Sequence, residues 1–255
     1  MAPVPASNRA VTTAVLATLV AVAGVLAGVS VAGRDGVVLA ALLVVVSLVF
    51  AVGWPVVAGL PARLHSSAVV GLAGVAAVAV AYVTTAEPLL GDVPAVFAGA
   101  VLASFVAELA RRDGRERLVE SVAGTVSGAL VPICAAGWLA AERTAAGDAV
   151  VVTGAVALAV GSAVTALPLR SWAGAGATVG AAVAGGLVAG AALPAVGLPS
   201  GLLLGAAVGI LVAAGDVLFD RMPVLERRLA GWAVAVLPVA VTGILVYVVG
   251  RVLVG

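Results

Sequence analysis

VVLAALLVVVSLVFAVGW, residues 37–54, runs for 18 residues without a charged side chain, and Ser47 is its one hydroxyl. As a helix rising 1.5 Å per residue it measures about 27 Å, close to the roughly 30 Å hydrocarbon core of a bilayer. Pro55 follows directly and punctuates the run. One such segment decides little, but the chain repeats it from end to end. Of its 255 residues 64% are hydrophobic and 10% charged, and mean hydropathy is +1.28. Soluble domains carry about 25% charged residues, so the composition is that of an integral membrane protein. No polar stretch is long enough for a soluble domain. The reading is one all-α, polytopic transmembrane bundle covering residues 1–255.

Nine helices are predicted, near 11–32, 37–54, 66–85, 93–110, 119–141, 148–167, 173–193, 200–220 and 230–250. Their breaks carry Arg34-Asp35-Gly36, Pro55 and Pro61, Pro88, the run RRDGRER, Gly147, Pro168, Pro194 with Pro199, and Pro223. The gap between the first two is so tight that a re-entrant pair is an alternative to two crossings. The first run, Val11–Gly33, exceeds the 7–15-residue apolar core of a signal peptide and follows a single charge, Arg9; it reads as an uncleaved first helix.

All 13 basic side chains are arginine, a usage that suggests a high-GC bacterial genome and hence a bacterial plasma (inner) membrane. Nine spans place Arg9, Arg63, Arg111, Arg112, Arg115, Arg117, Arg170, Arg221, Arg227 and Arg228 on the amino-terminal side, and Arg34, Arg143 and Arg251 on the other. Positive charge is retained in the cytoplasm, so the amino terminus is expected inside. A net charge of +1 gives no footprint for nucleic acid. Cys134 is the single cysteine; it excludes an intrachain disulfide and a multi-cysteine metal site, and reads as a small buried hydrophobe.

Glycines four apart, at Gly24/Gly28, Gly124/Gly128, Gly176/Gly180, Gly186/Gly190 and Gly201/Gly205/Gly209, share helix faces and admit close backbone approach. Such faces serve packing within the chain and also permit a homo- or hetero-oligomer. In RRDGRER, residues 111–117, Asp113-Gly114 favours a turn. Arg111, Arg112, Arg115 and Arg117 read as a solvated cytoplasmic loop, or as contacts to anionic lipid headgroups worth about 1 kcal/mol each. Glu108, one turn earlier, is expected to pair with Arg111 or Arg112. His65, beside Arg63, is placed in a short interfacial loop with no partner for a metal.

Asp216 interrupts GILVAAGDVLFDRMP, residues 209–223. An aspartate at mid-helix costs about 2.5–3.5 kcal/mol on insertion scales. Lying roughly 6 Å below the helix end, Asp216 avoids part of that cost. It opposes the helix dipole, however, and Asp220 shares its face four positions on. The pair calls for a counter-charge: Arg221, Arg170, Arg227, or a cation.

Leu167-Pro168-Leu169-Arg170-Ser171-Trp172-Ala173-Gly174 resembles the Ser-Pro-Lys-Lys-Thr-Trp-Glu-Gly motif of the phosphatidate cytidylyltransferases, the CDP-diacylglycerol synthases. Pro168, Trp172 and Gly174 match, and Arg170 and Ser171 are near-equivalents. Gly215-Asp216 is similar to the Gly-Asp that opens that family's carboxyl-terminal signature, and Leu225-Glu226-Arg227-Arg228-Leu229-Ala230 to its Leu-Asp-Arg-x-Asp-Ser. The resemblance covers about residues 150–255. It implies a cytoplasm-facing site in which Asp216 and Glu226 stand where the family holds metal ions. Only nine residues, 217–225, separate these acids, so the family's Lys-Asp and Pro-x-His-Gly-Gly segment is missing; Leu229 replaces its second acid, and Ala155–Leu167 lacks its preceding aspartate. Cytidylyl transfer needs divalent metal on phosphate with several oxygen ligands. The losses therefore point to a non-catalytic relative, a lipid-binding or scaffold component without a cofactor, in which Asp216 is the one metal-site remnant. A small permease using Asp216, or an active, Mg²⁺-dependent lipid cytidylyltransferase, are the alternatives.

Overall fold

Backbone buried in hydrocarbon must satisfy its own N–H and C=O groups, and a helix does so within one segment. The apolar runs accordingly form helices in the computed structural model, which describes residues 6–27, 36–111, 116–169, 171–219, 222 and 227–254. They are α1 (Ala6–Ala27), α2 (Val37–Val57), α3 (Arg63–Val83), α4 (Val93–Leu109), α5 (Leu118–Cys134), α6 (Ala136–Glu142), α7 (Gly147–Val164), α8 (Ser171–Ala192), α9 (Gly197–Phe219) and α10 (Arg228–Leu253). No strand occurs among the described residues.

Helices α5 and α6 form a single crossing, Leu118–Glu142, interrupted at Ala135. Pro132 lacks the N–H that would continue the helical ladder, and the chain tightens through Ala135 N–H to Pro132 O at 3.2 Å and Trp138 N–H to Ala135 O at 3.1 Å. Counted this way, the elements match the nine expected segments. Eight are long and apolar enough to cross a membrane, including both of the first two; the ninth, α4, is shorter at 17 residues. The chain is a multi-pass membrane protein. Several expected boundaries shift by three residues or more: α1 begins at Ala6, α2 runs through Pro55 to Val57, α7 stops at Val164, α9 starts at Gly197 and so takes in Pro199, α10 runs on to Leu253, and α3 takes in Arg63–His65, so His65 lies exposed on its first turn instead of in a loop.

Helix α10 lies centrally, against α1, α2, α5, α6, α7 and α9, whereas α4 packs chiefly on α3 and α5, and α8 on α7 and α9. The core is mostly alanine and valine around a few large side chains, among them Trp138, Phe50, Leu39 and Leu43. Trp138 is fully buried, and its indole N–H donates to Val239 O on α10 at 2.8 Å. Outward faces remain apolar, as lipid-facing surface requires: Leu102, Phe105 and Val106 on α4, Val188 on α8 and Ile210 on α9 are exposed.

The closest helix pairing is α8 with α9, through the glycines whose spacing announced it. A Cβ on Gly190 would sit 2.5 Å from Gly197 O, and one on Gly205 2.6 Å from Ala182 O. Gly124 and Gly128 instead receive the side chains of Leu60 and Trp54, and Gly24 that of Val151. Among the spaced glycines that are described, Gly176 and Gly180 face open space, with nothing within 4 Å.

Candidate functional site: a polar pocket between α1, α7, α9 and α10

Three largely apolar helices bring polar side chains to one pocket, which a fourth, α10, helps to close. Arg9 and Thr13 stand one turn apart at the start of α1, Ser162 and Thr165 lie at the end of α7, and Asp216 lies in the last turn of α9. With Pro238 of α10 they line a pocket of about 50 Å³. Phe219, packed with Val56 and Ala230 in a small cluster of its own, closes one side.

The hydrogen-bond directions give the lining its character. Thr13 Oγ1 donates to Ala235 O across the α1–α10 contact at 2.6 Å, and Thr165 Oγ1 donates to Ser162 O at 2.8 Å. Each hydroxyl proton is thereby engaged by a backbone carbonyl, leaving the oxygen lone pairs. Pro238 has no N–H, so the carbonyl of Val234, another lining residue, loses its ordinary helical donor. Ser162 is 1% exposed, and its Oγ has no hydrogen-bond partner. A buried hydroxyl without a partner costs about 1–3 kcal/mol, which a bound donor would recover. Arg9 forms no ion pair with a described residue.

One residue of the lining was passed over in the sequence. Arg9 lines the same pocket as Asp216, although 207 positions (216 − 9) separate the two in the chain. No local pattern links them. Ser162, Thr165 and Pro238 did carry a signal, as polar residues or a proline inside predicted spans, but no spacing rule joins them to Asp216.

The other candidate residues disperse. Arg227 is exposed at the start of α10 and does not line the pocket. Ser171 opens α8, and Trp172, 92% exposed, faces outward on its first turn. Tryptophan at such a helix end is an interfacial anchor. Arg170, Asp220, Arg221 and Glu226 lie outside the described residues, as do Arg112 and Arg115. Cys134 is half-buried at the end of α5.

The arginines of the α4–α5 loop behave differently from one another. Arg111, read as a headgroup contact, is turned inward and 7% exposed; its Nη1 donates to Glu108 Oε2 at 2.5 Å, and Nη2 to Glu116 O at 3.3 Å. Ser121 Oγ donates to the other Glu108 oxygen at 2.5 Å. A carboxylate at the end of a largely apolar helix needs these donors, and their supply outweighs exposure of the guanidinium. The pairing expected of Glu108 is thus made with Arg111. Arg117 stays at the surface, paired with Glu120 and donating to Gly59 O at 3.2 Å.

No group of three or more His, Cys, Asp or Glu side chains converges among the described residues. Comparison of the chain with known protein families, characterised proteins and solved structures finds no match.

Proposed function

We propose that the protein is a component of the bacterial plasma membrane, amino terminus in the cytoplasm, that holds a lipid headgroup in the pocket between α1, α7, α9 and α10. In this reading it is a non-catalytic relative of the CDP-diacylglycerol synthases. The observation that carries it is the pocket itself: opposite charges on Arg9 and Asp216, with the Ser162 hydroxyl buried and unpartnered between helices. It lies at the bundle end where arginines cluster, as expected for a cytoplasmic rim beside phosphate headgroups. Among the described lining residues Asp216 is the one carboxylate, and Arg9 beside it opposes a metal charge, so this lining is a poor match for a divalent cation.

The test has two arms. Purified protein is incubated with CTP, phosphatidic acid and Mg²⁺, and lipids retained through purification are counted by native mass spectrometry. The expected result is no CDP-diacylglycerol, together with retained lipid that Arg9→Gln loses. Product formation that Asp216→Asn abolishes overturns the non-catalytic reading, and lipid retention indifferent to Arg9 overturns the headgroup reading. Orientation is read with a membrane-impermeant thiol reagent on a Cys134→Ser background. Arg117→Cys and Arg227→Cys should label only from the cytoplasmic side, and Glu87→Cys only from outside.

A further inference from the structure

We infer that the pocket takes a vicinal diol, the end of a glycerol group whose phosphodiester rests on Arg9 at the mouth. The inference rests on the headgroup reading and adds the chemical class of the headgroup. Burial gives the pocket its direction. Ser162 is 1% exposed and Thr13 5%, whereas Arg9 and Thr165, nearer their helix ends, are half-buried. Ser162 and Thr13 therefore form the floor, and the mouth lies on the helix-end side, where Arg9 stands. Size limits what reaches that floor. A water needs about 10–15 Å³ of such space, so the pocket of about 50 Å³ admits roughly three to five water-sized atoms. The two carbons and two oxygens of a terminal diol fit, with the phosphate left outside. A sugar or a nucleotide base is too large.

Hydrogen bonding selects hydroxyls for the floor. The Ser162 hydroxyl has no partner, so its proton lacks an acceptor and its oxygen lacks a donor. Thr13 and Thr165 donate their protons to backbone carbonyls and keep oxygen lone pairs. The carbonyl of Val234 lacks its helical donor because Pro238 has none to give. One donor among several acceptors suits a group that both gives and receives, and a hydroxyl carries one O–H and two lone pairs. An ammonium has donors alone and would leave the Ser162 proton unmet; a phosphate oxygen would leave the acceptors unmet. Charge matters at the mouth. Asp216 already has a partner, so the ligand need not answer its charge. Arg9 forms no ion pair with a described residue, and a guanidinium binds phosphate oxygens strongly. A singly charged phosphodiester with a neutral diol beyond it meets both demands.

This chemistry occurs in the headgroup of phosphatidylglycerol and in its deacylated, soluble form, glycerophosphoglycerol. The experiment uses the full chain in nanodiscs of phosphatidylcholine doped with phosphatidylglycerol or with phosphatidylethanol, a diester of the same charge whose headgroup has no hydroxyl. Retained lipid is counted by native mass spectrometry. Phosphatidylglycerol is expected to be retained at least about tenfold over phosphatidylethanol, the ratio set by two hydrogen bonds to groups otherwise left unpaired. Ser162→Ala and Thr165→Val should each cut that preference by about threefold or more, the share of one hydrogen bond. Arg9→Gln should weaken retention of both lipids alike. Ser162→Ala removes no hydrogen bond of the free protein, and Thr165→Val keeps the test open if that variant does not fold. Glycerophosphoglycerol is added as competitor: displacement of the lipid identifies the free diester as sufficient, and persistence of the lipid identifies the membrane-borne form. Retention that depends on Arg9 yet is equal for the two doped lipids overturns this inference alone. A phosphatidylglycerol preference unchanged in both Ser162→Ala and Thr165→Val overturns it as well. Retention independent of Arg9 removes the headgroup reading beneath it.

Discussion

Replacing Glu108 with alanine should destabilise the bundle by about 3–4 kcal/mol. The Glu108 and Arg111 side chains are 6% and 3% exposed, and the ion pair between them measures 2.5 Å. Removing one member of a buried pair typically costs about 3–5 kcal/mol, because the remaining charge is stranded. Arg111 would keep Glu116 O at 3.3 Å, which places its share near the lower end, about 3 kcal/mol. Ser121 Oγ would lose its carboxylate acceptor, adding up to about 1 kcal/mol. For a chain of this size each kcal/mol moves the melting temperature by about 2–4 °C, so thermal unfolding in detergent micelles should fall by about 10 °C. The control is Glu108→Leu combined with Arg111→Met, which removes both charges while filling the space and should land near the wild type or above it. The reasoning is refuted if Glu108→Ala unfolds within about 1 kcal/mol of the wild type, or if the double variant is as damaged as the single one. Either result would mean that Arg111 reaches water or headgroups instead of depending on Glu108.

Other substitutions test the packing and the surface. Gly205→Ala should destabilise by about 1–3 kcal/mol, since its Cβ would meet the Ala182 carbonyl oxygen at 2.6 Å; Gly180→Ala, with nothing within 4 Å, should be neutral or stabilising by up to about 1 kcal/mol, and thermal unfolding distinguishes the two signs. Trp138→Phe should cost about 2 kcal/mol by denaturant unfolding, through the lost donor to Val239 O and the void left in a fully buried site. Arg117→Gln should change stability by at most about 1 kcal/mol, because its pair with Glu120 lies at the surface, and that small effect should shrink further as salt is raised.

Some of this molecule is written locally in the chain. The spans are legible because transfer into hydrocarbon acts on each apolar run separately, and because a helix closes its own hydrogen bonds. The α8–α9 contact is legible for a related reason: glycines four apart create a face whatever the rest of the fold does, and Gly186, Gly190, Gly201 and Gly205 use it. Glu108 and Arg111, three positions apart on one helical turn, are neighbours by helix geometry alone. Other features have no local cause. The break at Ala135 could be suspected from Pro132, but its place follows from the contact of α6 with α10, where Gly137 lies against Gly243. The inward turn of Arg111 depends on the Glu116 carbonyl at the far end of the loop and, through Glu108, on Ser121 of α5 beyond it. Above all, Arg9 reaches Asp216's pocket only because α1 and α9 both pack around α7 and α10. Lipid is as apolar as the helices themselves, so burial cannot choose which faces meet. That choice rests on shape, small residues and a few polar contacts summed over the whole bundle, and with it the arrangement of the polar pocket.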